Sequence, residues 1–125
     1  MTRLGWLILT RRYGGDERDP SVDLLATAVR ELFVEDLPGM TEADYAEHGA
    51  ASLRCGFDEG PMFVLELDRL RTARFEEWAD QGFEHELVPA RTGALKSQDE
   101  ALHLFGLLAS GDLEALRRWH WSVNA

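Results

Sequence analysis

At 125 residues the chain has the length of one domain, residues 1–125, and needs no disulfide or metal staple to hold a core. Apolar residues at 45% and charged residues at 29% exclude a wholly disordered chain. With 13 Lys plus Arg against 23 Asp plus Glu, the net charge of -10 disfavours a general phosphate-backbone binder, so no nucleic-acid partner is expected.

Trp6 to Thr10 is short, apolar and bounded by Gly5 and Arg11-Arg12, which predicts a buried first strand. Tyr13 to Arg18 reads as a loop from its glycines and charges. Asp19-Pro20 supplies an N-cap and a proline for the first helical position. Val22, Leu25, Val29, Leu32 and Phe33 then recur at helical spacing, so an amphipathic helix is expected over residues 20–35, stopped by Pro38-Gly39. Thr41 to Asp44 resembles a capping box, opening a turn or two of helix that ends near Gly49.

From residue 51 the period becomes two, with Leu53, Cys55 and Phe57 on one face. Asp58-Glu59-Gly60-Pro61 is turn chemistry, and Met62 to Asp68 returns as a strand with Phe63, Leu65 and Leu67 inward. Thr72 to Trp78 follows, with Ala73 and Phe75 on the packed face and Arg74, Glu76 and Trp78 on the other. Phe83 to Val88 is a further edge-strand candidate, weak in apolar content, before Pro89 and an aperiodic linker from Ala90 to Lys96.

Ser97-Gln98-Asp99-Glu100 reads as a capping box whose helix turns Leu102, Phe105, Leu108 and Ala109 inward and closes at Ser110-Gly111. Asp112 starts a last helix with Leu113, Leu116 and Trp119 toward the core. The order β-α-(short α)-β-β-β-(β)-α-α predicts an α+β fold, an antiparallel sheet of about 4–5 strands with helices on one face and the other face open.

The sequence carries no phosphate loop, no G-x-G-x-x-G and no G-x-S-x-G elbow, so no catalytic residue and no cofactor are expected. His85-Glu86 opens like a zinc-protease motif, but Pro89 stands where the second histidine belongs. His48, His85, His103 and His120 show no ligand spacing, and no metal is expected. Cys55 is a lone cysteine that reads as core, and Gly106 inside a good helix suggests close packing against a neighbour. The apolar N-terminal run is about half a signal h-region, and no stretch approaches the ~20 apolar residues of a membrane span, so a cytoplasmic protein without membrane contact is expected.

Acidic residues are unevenly placed. Residues 31–60 hold Glu31, Glu35, Asp36, Glu42, Asp44, Glu47, Asp58 and Glu59 against Arg54 alone. Residues 75–86 then set Glu76, Glu77, Asp80, Glu84 and Glu86 among aromatics. Adjacent strand residues point to opposite faces, so Glu76 and Glu77 form no local acid–base dyad. Trp78, on the open face with acids around it, has the character of an interface anchor inside a charged rim. The expected partner-binding residues are therefore Asp58 and Glu59 at the hairpin tip, with Glu76, Trp78, Asp80 and Glu84 on or near the open face.

The helix-then-meander order, the hairpin Leu53 to Met62, the segment Phe75 to Phe83 and the helix Ala101 to Gly111 with a tryptophan beyond it together resemble the small acidic immunity proteins of bacterial contact-delivered toxin systems. The resemblance spans most of the chain without a single diagnostic motif. It implies a non-catalytic inhibitor that binds one cognate toxin domain in the cytoplasm, with carboxylates standing in for phosphates where the toxin is a basic nuclease. Two other readings stay open. One is a homo-oligomeric structural or adaptor module, with a homodimer formed through the open face. The other is a small ligand-binding domain or enzyme whose site, around His85 or His103, assembles only in the fold.

Overall fold

The computed structural model describes residues 5–56 and 60–122. Its elements are β1 (Trp6–Thr10), β2 (Asp16–Arg18), α1 (Val22–Phe33), α2 (Glu42–Glu47), β3 (Ala50–Gly56), β4 (Met62–Asp68), β5 (Thr72–Trp78), β6 (Glu86–Ala94), α3 (Gln98–Ala109) and α4 (Leu113–Arg117). The strands form a six-stranded sheet in the order β2-β1-β3-β4-β5-β6, every neighbouring pair antiparallel. The architecture is α+β, with α1 and α3 against each other and both touching β3 and β4.

The central strands follow their alternation. Leu9, Leu53, Leu65 and Phe75 stand in register across β1, β3, β4 and β5 and are buried under the helices. Ala51, Leu67 and Ala73 form a second buried row, and Cys55 pairs with Phe63 in a third. The opposite face carries no helix layer over this meander, yet Met62 and Val64 there are only 2% and 7% exposed. Met62 lies in a row with Trp6, Gly56 and Trp78, whose large rings shield it from water.

The sheet exceeds the expected 4–5 strands by β2 at one edge, and the edge strand at the other has different bounds from those expected. Residues 16–18, read as loop, form β2; the strand is fully exposed and is held by its ladder and by the Thr10 hydroxyl donating to Asp16 at 2.7 Å. β6 begins later than the Phe83–Val88 candidate and runs through the supposed linker to Ala94. An edge strand buries little, so it needs no apolar period. Pro89 is accommodated because the register slips between Phe75 and Glu77, and a bulge is where a missing N–H costs least. Gly93 is fixed by packing, since a Cβ there would come within 2.6 Å of the Trp119 ring.

The helices carry smaller corrections. α1 is capped by Ser21, whose hydroxyl accepts from the Leu24 N–H at 3.1 Å, rather than by Asp19, which sits at φ +48°. Val22, expected inward, is 72% exposed. In α3 the buried stripe is Ala101, Leu104, Phe105 and Leu108, rotated from the expected Leu102 and Ala109. Ser97 caps the Glu100 N–H, but Glu100 reaches back to the Lys96 N–H rather than to that of Ser97. Gly106 is not a close-packing residue: it faces solvent with open space around its missing Cβ. Thr41 and Asp44 do form the reciprocal capping box of α2. Trp121 stacks on Phe75 and donates its indole N–H to the Leu116 carbonyl at 2.8 Å, closing the core under α4.

Candidate functional site

Among the described residues two charged side chains are buried, and both are structural. The Arg12 guanidinium donates to the carbonyls of His48, Glu31 and Tyr45 at 2.6, 2.6 and 3.0 Å and to the Glu35 carboxylate at 2.9 Å. It thereby sews the last turn of α1 to α2, lying 5.2 Å from the centroids of both Tyr13 and Tyr45. Arg69 grips Glu35 with two hydrogen bonds and also reaches Glu42. Hydrogen bonds from Arg69 and then Arg12 hold the Glu35 carboxyl down at about 2. Glu77, on the packed face of β5, accepts from Arg91 and Arg117. Burial pushes its carboxyl up, but the bonds from Arg117 and then Arg91 outweigh it and keep it below the ordinary carboxylate value. Much of the acidic character in residues 31–60 is therefore absorbed by arginines of the fold.

Chemistry at the remaining candidates is limited. Burial pushes the Cys55 thiol up to about 12, so it stays protonated. A cleft of about 510 Å³ beside α2 is bordered by Arg12, His48, Glu66 and Arg69, but both arginines are already bonded to Glu35. His85 and His103 are exposed and border neither this cleft nor the one on the uncovered sheet face.

Two of the expected residues lie on the uncovered face itself. Glu76 and Trp78 point outward from β5, and the Trp78 indole N–H donates to Glu76 at 2.8 Å while Arg74 donates to the other Glu76 oxygen at 2.7 Å. Glu86 pairs with Trp78 across the strands. Burial, and next the neighbouring Glu76, raise the Glu66 carboxyl on the same face. Glu84 is exposed in the β5–β6 loop. Asp58 and Glu59 lie outside the described residues.

Asp80 has a different task from the one expected. Its carboxylate accepts the N–H groups of Gly82, Glu84 and His85 at 2.9, 3.2 and 2.8 Å, which folds the loop back on itself. Against an opposing effect of burial, these bonds, that of His85 first, keep the carboxyl below its ordinary value. The loop so built places Phe83 at φ +59°, a left-handed conformation that bulky side chains avoid. The Phe83 ring, 48% exposed, meets Trp78 edge-on at 5.2 Å. Sequence reasoning left Phe83 in an edge strand and missed its role. The available signal was the Asp80-Gln81-Gly82 turn chemistry just before it.

No family model, curated protein or solved structure matches this chain. Function is therefore argued from the site alone. No helix among the described residues is long and apolar enough to cross a membrane.

Proposed function

We propose that the protein is a non-catalytic binding protein of the immunity kind, which covers a basic surface of one cognate toxin domain with the uncovered face of its sheet. The Trp78–Phe83 pair carries this reading. Its second ring is half exposed and stands on a strained backbone. Such strain persists where the surroundings enforce it, and it clusters at ligand clamps and switch regions. Around the pair, Glu76, Glu84 and Glu86 form the charged rim of an aromatic anchor. The net charge of -10 speeds encounter with a basic partner, so added salt slows association more than it hastens release.

The test joins capture to growth. The immobilised protein is expected to retain a basic domain in one-to-one ratio, and Trp78→Ala is expected to cost about 2 kcal/mol or more of that affinity. Expressed alone, the retained protein should arrest growth, and co-expression of this chain, but not of its Trp78→Ala variant, should restore it. Unchanged binding by a correctly folded Trp78→Ala variant would remove the anchor and the reading with it.

A further inference from the structure

Arg18 on β2 and Arg54 on β3 both pair in register with Ile8 on the strand between them. The three side chains therefore stand in one row on the uncovered face, the arginine Cα atoms two strand spacings apart, ~10 Å. Beside this row opens a cleft of about 480 Å³ bordered by Trp6, Ile8, Arg18, Arg54, Met62 and Gln81. Its volume is that of a small-molecule site. One wall is closely packed, because Trp6 lies so close over Gly56 that a Cβ there would come within 2.6 Å of the ring. The Gly5 N–H, donated to the Gly56 carbonyl at 2.8 Å, pins the start of β1 beside it.

The two arginines differ from six others in a chain so rich in acid. Arg11, Arg12, Arg69, Arg74, Arg91 and Arg117 each hold a carboxylate at 2.9 Å or closer. The nearest carboxylate to Arg54 is Asp16 at 4.0 Å, and Arg18 has no carboxylate partner among the described residues. Among the described residues, two guanidiniums thus face one cleft with most of their donors uncommitted, next to an indole, a thioether and a branched aliphatic side chain.

We infer that this cleft binds a small organic anion, a carboxylate or phosphate carried on a flat apolar body. The inference follows from what each half of the cleft lacks. A bare inorganic anion would satisfy the guanidiniums but leave Trp6 and Ile8 partly facing water. An uncharged apolar ligand would cover those side chains and leave two like charges side by side. A planar anion does both, with paired N–H donors on its oxygens and the indole against its body. The cleft adjoins the Trp78–Phe83 anchor through Met62 and Gln81, but its two cationic donors stand on β2 and β3, away from that pair.

Titration of the full chain followed by NMR tests the assignment, with benzoate and phenyl phosphate as probes and inorganic phosphate as control. At least one organic probe should shift the Trp6 indole N–H and Arg54 Nε–H resonances saturably, at least about tenfold more tightly than inorganic phosphate. Which probe wins decides between a carboxylate and a phosphate ligand. Arg18→Gln, on a solvent-exposed strand, and Arg54→Gln should each weaken binding about tenfold. Failure of the probes to bind would leave the capture result untouched, which keeps this test apart from the partner reading. No saturable shift with either organic probe, equal binding of inorganic phosphate, or shifts that persist in the Arg18→Gln/Arg54→Gln double variant would each overturn the inference.

Discussion

On the helix-covered side of the sheet, Arg12 and Glu77 are buried charges whose partners are tight and numerous, and the apolar rows fill the core. On the uncovered side, rings stand half in water, Phe83 occupies a left-handed backbone, and Arg18 and Arg54 have few partners among the described residues. Groups on the first side complete one another. Groups on the second await something else. Damage to the covered side should therefore cost folding and leave recognition intact, and damage to the uncovered side should do the reverse.

The sharpest way to break that contrast is Arg12→Ala. It strands three carbonyls and leaves the Arg69–Glu35 pair without its second arginine, and should lower unfolding free energy by about 3 kcal/mol or more in denaturant titration. Acid should act on the same network more gently. The Glu35 carboxyl is depressed in the fold, so its contribution is present above its ordinary value of 4.5 and is lost as pH falls from there to about 2. Glu35→Gln should accordingly melt lower than wild type at neutral pH, and the gap should close across that window. A gap that stays constant with pH would mean that charge pairing is not what Glu35 supplies.

Smaller changes sharpen the comparison from the other direction. Gly106→Ala fills open space on an exposed helix face and should stabilise by up to about 1 kcal/mol with no effect on binding. Phe83→Asn trades a ring contact for relief of backbone strain, two terms of about 1 kcal/mol that oppose each other. Its melting temperature should stay near that of wild type while partner affinity falls. A large loss of stability in Phe83→Asn would show that the ring serves the fold instead.

These two sides were unequally legible in the sequence. β3, β4 and β5 announce themselves because a half-buried strand must alternate, and Glu76 and Trp78 were placed on the open face by that alternation alone. The edge strands did not, since β2 is three charged residues and β6 hides a proline in a bulge. The stripe of α3 was read one position off because Leu102, Leu104, Leu107 and Leu108 allow more than one apolar face, and only the packing against α1 selects among them. Arg12 and Glu77 find partners 14 to 40 positions away in the chain, which no local pattern reports. Phe83 depends on a turn whose geometry rests on three backbone bonds to Asp80.

The edges of the sheet carry a consequence of their own. An exposed strand edge invites another chain to add on, and repeated addition leads to fibres. β2 offers only Asp16, Glu17 and Arg18, too short and too charged to template a neighbour. Along β6, Pro89 lacks an N–H, the bulge breaks the ladder, and Ser122 already donates to the Thr92 carbonyl at 2.7 Å. Both borders are thereby guarded against aggregation. The molecule can keep a broad, partly apolar face open to water in a crowded solution without growing edge to edge into a larger sheet.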